Sequence, residues 1–197
     1  MVCIKYKKAL ITLMDGVYEP AEDSFLLADF SLKYVFDDMN VLEVGAGTGF
    51  VSAVLKANID INLIATEINP IATHCAKLNG IEVIKTDLFD GLKTIPFFDV
   101  ILFNSPYLPT SKDEKINGWI NYAYDGGNDG QKIINKFLSN VKKYLAKHGV
   151  VLLLISSLTG IDAIKDMIEA NGFEIKNEES NRYFFEDIIV FCMGVKK

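Results

Sequence analysis

The chain has 197 residues, 50% of them hydrophobic, which suffices for one well-packed core and is short for two. A formal charge of -6 argues against a protein that gains affinity by neutralising many phosphates, even where Lys142, Lys143 and Lys147 gather near one helix end. The sequence has no apolar run of roughly 18 residues, no signal-peptide layout around Lys5, Lys7 and Lys8, and no C-x-x-C among Cys3, Cys75 and Cys192. These features speak against a membrane span, secretion, a disulfide framework and a zinc site, so a cytoplasmic protein without a metal is expected.

The first elements in the chain are two short segments, 4–8 and 9–14, that can pair with each other. Val17-Tyr18-Glu19-Pro20-Ala21-Glu22-Asp23-Ser24 then leads into an apolar helix over 22–35, with Pro20 and the early acids suited to its start. Residues 40–44 read as an apolar strand ending in the glycine-rich turn Gly45-Ala46-Gly47-Thr48-Gly49, followed by a helix over 51–57. A second strand, 61–66, closes on Glu67, and Pro70 opens a helix over 69–79. A third, 82–86, closes on Asp87, and a fourth, 98–103, runs into Asn104-Ser105-Pro106-Tyr107. Helical spacing returns over 130–144 and 161–171, on either side of 150–155, a run apolar on both faces as a central parallel strand is. The tail reads as two antiparallel strands, 173–178 and 188–193, joined by a polar connection. Strands alternating with helices imply a three-layer α/β sandwich forming one domain over 1–197. His74, in a helical stretch, and His148, beside a glycine turn, read as structural.

The chemistry gathers at the predicted strand ends, where open α/β sheets bind ligands. A dinucleotide site wants G-x-G-x-x-G with a pyrophosphate on the helix N-terminus. Here the spacing is G-x-G-x-G, and Glu43 stands two places before the first glycine. A carboxylate there is unfavourable beside a pyrophosphate and favourable beside an ammonium group, which points to S-adenosylmethionine. Glu67 is placed to accept from ribose hydroxyls and Asp87 from the exocyclic amine of adenine, although each carboxylate taken alone is an ordinary cap or loop residue. The Asn104–Tyr107 tetrapeptide offers an amide, two backbone carbonyls and an aromatic ring, a grouping suited to a flat nitrogen nucleophile. The long stretch 108–128 carries Trp119, Tyr122 and Tyr124. It reads either as a cover over the substrate or as a loop that Trp119 anchors to the core.

These motifs together resemble the HemK-like N5-glutamine methyltransferases, in particular the short archaeal and eukaryotic branch acting on class I release factors. The Tyr18-Glu19-Pro20-Ala21-Glu22-Asp23 opening is the more specific part of the likeness; the glycine loop says only methyltransferase. The resemblance implies a Rossmann-like class I S-adenosylmethionine-dependent methyltransferase fold, with a mostly parallel seven-stranded sheet and an antiparallel C-terminal strand. With 17 residues before Tyr18, the N-terminal helical domain of bacterial relatives is expected to be absent. By position, the resemblance implies donor contacts from Ser24, Glu43, Gly45, Gly47, Glu67, Asp87, Leu88 and Asn104, and acceptor contacts from Asn104, Ser105, Pro106 and Tyr107. It also implies methyl transfer to the glutamine of a Gly-Gly-Gln motif and a small zinc-binding activator subunit. Other acceptors on the same scaffold are nucleic-acid amino groups, and a donor-binding module without turnover is the reading from another class. One departure stands out: the family usually has Asn-Pro-Pro-Tyr, and Ser105 replaces the first proline. Serine regains an N–H and is expected to loosen the loop.

Overall fold

The computed structural model describes residues 2–110 and 118–196. Strands β1 (Cys3–Tyr6) and β2 (Ala9–Thr12) form the expected N-terminal hairpin. The main sheet contains β3 (Asn40–Val44), β4 (Asn62–Glu67), β5 (Val83–Lys85), β6 (Phe98–Asn104), β7 (Leu145–Ser156), β8 (Phe173–Tyr183) and β9 (Glu186–Val195). Its order is β5-β4-β3-β6-β7-β9-β8, parallel from β5 to β7, with β9 antiparallel to both its neighbours. The chain leaves β3 towards β4 and β5, then returns to place β6 on the other side of β3. The crevice at this reversal, beyond the strand ends, is where doubly wound sheets take ligands.

Alternating side chains fill a core on each face of the sheet. Val41, Val100, Leu102, Leu152 and Leu154 pack on one face with α1 (Glu22–Ser31) and α2 (Phe50–Asn58). On the other face, Leu42, Val44, Phe103, Val151 and Leu153 pack with α5 (Lys132–Val141) and α6 (Ile161–Ala170). Helix α3 (Pro70–Leu78) starts at Asn69, whose side chain accepts from the Ile71 N–H, with Pro70 in the first turn. A short turn of helix, α4 (Asn121–Tyr124), lies in the loop after β6.

The three largest departures from the expected boundaries are at α1, β7 and the tail. Helix α1 stops at Ser31, because the chain tightens into bonds from Lys33 N–H to the Phe30 carbonyl (3.1 Å) and from Tyr34 N–H to the Ser31 carbonyl (3.0 Å). Val35 still reaches the core. Strand β7 begins five residues before the apolar run. The polar connection expected in the tail is strand almost throughout, reduced to Phe184 and Phe185 between the paired Tyr183 and Glu186. Its polarity reflects the position of β8 at the sheet edge, where most of its side chains meet solvent. Of the expected loop over 108–128, residues 111–117 lie outside the described residues. Among the described residues no helix is long and apolar enough to cross a membrane.

Candidate active site

A cavity of about 920 Å³ opens at the C-terminal ends of β3, β4 and β6 and is lined by every residue expected to contact donor or acceptor. Its floor is the glycine turn. The N–H groups of Gly45 and Ala46 bond the Thr66 carbonyl (2.8 and 3.1 Å), tying the turn to β4. Gly47 has φ +57°, and a Cβ there would meet no atom within 4 Å, so the backbone itself forms the cavity wall. Gly49 instead serves packing. A Cβ on it would stand 2.9 Å from Ile81 Cγ1, so its bare backbone lets α2 approach the segment after α3 closely.

Two buried carboxylates shape this end. Glu43 Oε2 accepts from the Ser52 N–H (3.0 Å) and from the Ser52 hydroxyl. Burial nevertheless raises its pKa to about 7, against the lowering effect of those bonds and with a small further push from Glu67. Glu67 accepts from Gly47 N–H (2.8 Å) and Asn69 N–H (2.8 Å), so it braces the glycine turn as well as facing the cavity. Burial raises its pKa too, while these amides pull it back. Asp87, further out, pairs with Lys136 Nζ at 2.5 Å. Leu88 beside it has φ +47°, an uncommon backbone for a non-glycine residue, and lines the same wall. This donor set fits S-adenosylmethionine: carboxylates suit an ammonium, a ribose diol and an adenine amine, and a wall of three carboxylates would repel a pyrophosphate.

The opposite end is organised by a residue that sequence reasoning passed over as a helix-start acid. Asp23 is 4% exposed. Its Oδ2 accepts from Asn104 Nδ2 (2.9 Å), Tyr18 Oη (3.0 Å) and Tyr107 Oη (3.4 Å), and its Oδ1 from the N–H and hydroxyl of Ser24 (2.5 and 3.1 Å). An ionised carboxylate can only accept, so it fixes the Asn104 amide with its NH₂ towards Asp23. Asn104 Oδ1 is then left buried and without a hydrogen-bond partner. Burial first, and then the Asp23 charge, push the Tyr18 and Tyr107 phenols well above their ordinary range, which keeps both protonated as donors. Ser24, expected at the donor, lines the cavity with its hydroxyl turned onto Asp23.

At Ser105 the structure supplies a tie that the sequence does not show. The Ser105 hydroxyl donates to the Leu154 carbonyl on β7 at 2.7 Å, so a side-chain bond holds the segment where the family has a proline ring. Glycines of the following loop press on the same tetrapeptide. A Cβ on Gly126 would stand 2.6 Å from the Pro106 carbonyl oxygen, and one on Gly130 2.4 Å from that of Tyr107. Leu108 and Asp125 form a bridge, and Leu108 N–H bonds the Tyr124 carbonyl (3.2 Å). Tyr124 meets Tyr18 edge to face at 5.5 Å. Trp119 lines the cavity beside Tyr122 at 40% exposure, so it is no core anchor. His74 and His148 are exposed and away from the cavity. Among the described residues no cluster of three or more His, Cys, Asp or Glu side chains could hold a metal ion.

No protein-family model matches the chain. The chain is 42% identical over 188 residues to MJ0928 of Methanocaldococcus jannaschii, named as a protein N5-glutamine methyltransferase; the match covers 91% of this chain and 92% of that protein. It is 32% identical over 171 residues to the methyltransferase HEMK2 of Homo sapiens, covering 80% of each. The fold is like that of the Mtq2-Trm112 complex of E. cuniculi, responsible for methylation of the eRF1 termination factor. There the TM-score is 0.72 at 22% identity, over 92% of this chain and 99% of that one.

Proposed function

The chain belongs to the protein N5-glutamine methyltransferases, and on that premise we propose that it methylates the side-chain amide of the glutamine in a Gly-Gly-Gln motif of a class I translation release factor. It would do so as one methyltransferase domain, with S-adenosylmethionine as donor and a small zinc-binding activator subunit as partner. The observation that carries this reading is Asn104 Oδ1, a buried acceptor without a partner whose orientation Asp23 fixes. Such an oxygen is unfavourable on its own and becomes satisfied by an incoming amide N–H.

Glu43, the backbone at Gly45 and Gly47, Ser24, Glu67, Asp87 and Leu88 would hold the donor, which when bound supplies an electrophilic methyl on a sulfonium. A carboxamide nitrogen is a poor nucleophile because its lone pair is delocalised, so alignment supplies most of the rate. Asn104 Oδ1 and the Ser105 carbonyl accept the two amide hydrogens, while Pro106 and Tyr107 hold the amide plane. No lysine or histidine hydrogen-bonds to Asn104 or Tyr107 among the described residues, and the phenols are locked as donors. The proton therefore leaves to water after transfer. Exposed Ile71 and Leu78 on α3 and Ile84 on the edge strand β5 offer apolar surface for the activator to cover.

The test is labelled-methyl transfer to the release factor with the activator present, followed by mass-spectrometric localisation. The label is expected on the Gly-Gly-Gln glutamine, and Asn104→Ala should abolish it while leaving donor affinity within a few-fold. An unlabelled release factor with donor binding intact would overturn the reading and redirect it to nucleic-acid acceptors.

A further inference from the structure

The β8–β9 hairpin ends in a two-residue turn made of Phe184 and Phe185, which are 93% and 92% exposed. Nothing in the fold explains this choice. Phe184 has φ +46°, a conformation that two-residue hairpin turns reserve for glycine or asparagine and that a bulky side chain disfavours. The strain wins no core contact, since both rings stand in solvent. The flanking residues, in contrast, are held: Glu186 accepts from the Ser156 hydroxyl, and Asp187 N–H donates to Ser157 Oγ at 2.9 Å. The rings are therefore presented from a rigid base.

Beside them is a shallow cavity of about 320 Å³, lined by Glu22, Leu158, Tyr183, Phe184, Phe185 and Glu186. Leu158 is itself 49% exposed. This shelf neighbours the active-site cavity: Glu186 lines both, and Glu22 directly precedes Asp23. It thus adjoins the Asp23–Asn104–Tyr107 end, away from Asp87 and Lys136. Neither Glu22 nor Glu186 is in an ion pair among the described residues.

We infer that the Phe184–Phe185 tip, with Leu158 and the carboxylates of Glu22 and Glu186, is the docking shelf for the polypeptide that carries the acceptor glutamine. This rests on the function proposed above and adds where the protein substrate is gripped outside the cavity. The shelf takes apolar side chains together with at least one cation from the residues flanking that glutamine. Exposed aromatic pairs on a rigid support are the usual anchors of such contacts, and the two carboxylates set the sign of the partner's charge.

The variant Phe184→Gly/Phe185→Ser tests this. Glycine suits the turn, so the fold is retained, as far-UV circular dichroism and the thermal midpoint will show. With the full chain and its activator, KM for the intact release factor should rise about tenfold or more, with kcat near the wild-type value. Donor affinity, and kcat/KM for a short peptide holding little beyond Gly-Gly-Gln, should stay unchanged. Glu22→Lys should raise KM for the release factor in the same way. Unchanged KM for the release factor in the aromatic variant overturns the inference, as does an equal loss on the short peptide, which would place the effect in the cavity. Self-association of the wild type that the variant loses, read by sedimentation, would give the shelf to a second copy and overturn it too. If the wild-type enzyme leaves the release factor unmethylated, the proposed function fails and the docking inference falls with it. An active wild type beside an indifferent variant sinks the docking inference alone.

Discussion

Asp23 Oδ2 holds three donors from two separate places in the chain, Tyr18 just before α1 and Asn104 with Tyr107 at the end of β6, and the Asn104 amide takes its orientation from it. Asp23→Asn keeps the size and removes the acceptor-only character, so the Asn104 amide loses its fixed sense. Transfer should fall about a hundredfold, the scale of a misplaced reacting group, with donor affinity within a few-fold, read by single-turnover kinetics and by calorimetric titration of S-adenosylhomocysteine. Glu43 yields a prediction in pH. Its folded pKa of about 7 lies above the usual carboxylate value, so the folded state binds the extra proton between roughly pH 4.5 and 7. Its stabilising contribution is full below that window and is lost as pH rises through it. Urea unfolding should show wild type losing stability relative to Glu43→Gln across this range, by up to about 3 kcal/mol. Donor affinity should move the other way, since an ammonium prefers the ionised carboxylate. A flat difference between the two proteins would remove the buried, protonated Glu43 from the account.

The elements legible in the sequence are those whose signals are local. The glycine turn, the acids closing β4 and β5, and the tetrapeptide closing β6 announce themselves through strand runs followed by punctuation, and the structure brings them around one cavity. The closing loop is harder to read. Gly126 and Gly130 look like turn glycines, yet they are small because the Pro106 and Tyr107 carbonyls occupy the space. That close approach joins segments some twenty residues apart, and no periodicity records it. Gly130→Ala adds a methyl against the Tyr107 carbonyl at a backbone of φ +74°, so the tetrapeptide must shift. Turnover should drop by about a hundredfold while donor affinity holds, and wild-type turnover in this variant would show that the loop is no mould for the acceptor end.

For the molecule as a whole, the three-layer α/β architecture follows from alternation of strand and helix, and the seven-stranded sheet is what the family resemblance implies; the strand order, with its reversal after β5, is seen in the structure. The long-range ties could not be read in advance. Asp23 and Asn104 are 81 residues apart, and Ser105 and Leu154 are 49 apart. A missing proline suggested a slack loop because the partner hydroxyl bond lay across the sheet. Tertiary bonds of this kind leave no mark on the local pattern from which strands and turns are recognised.

The two ends of the cavity are assembled in different ways. Apart from Ser24, the donor end comes from residues 43–88, nearly one continuous stretch of strand, turn and helix. The acceptor end is stitched from the start of α1, the end of β6 and the loop before α5, with one carboxylate as the knot. Damage to the knot is therefore expected to leave a protein that still takes up its donor and transfers its methyl group poorly. In a cell such a variant would act as a sponge for S-adenosylmethionine, occupied but of little use.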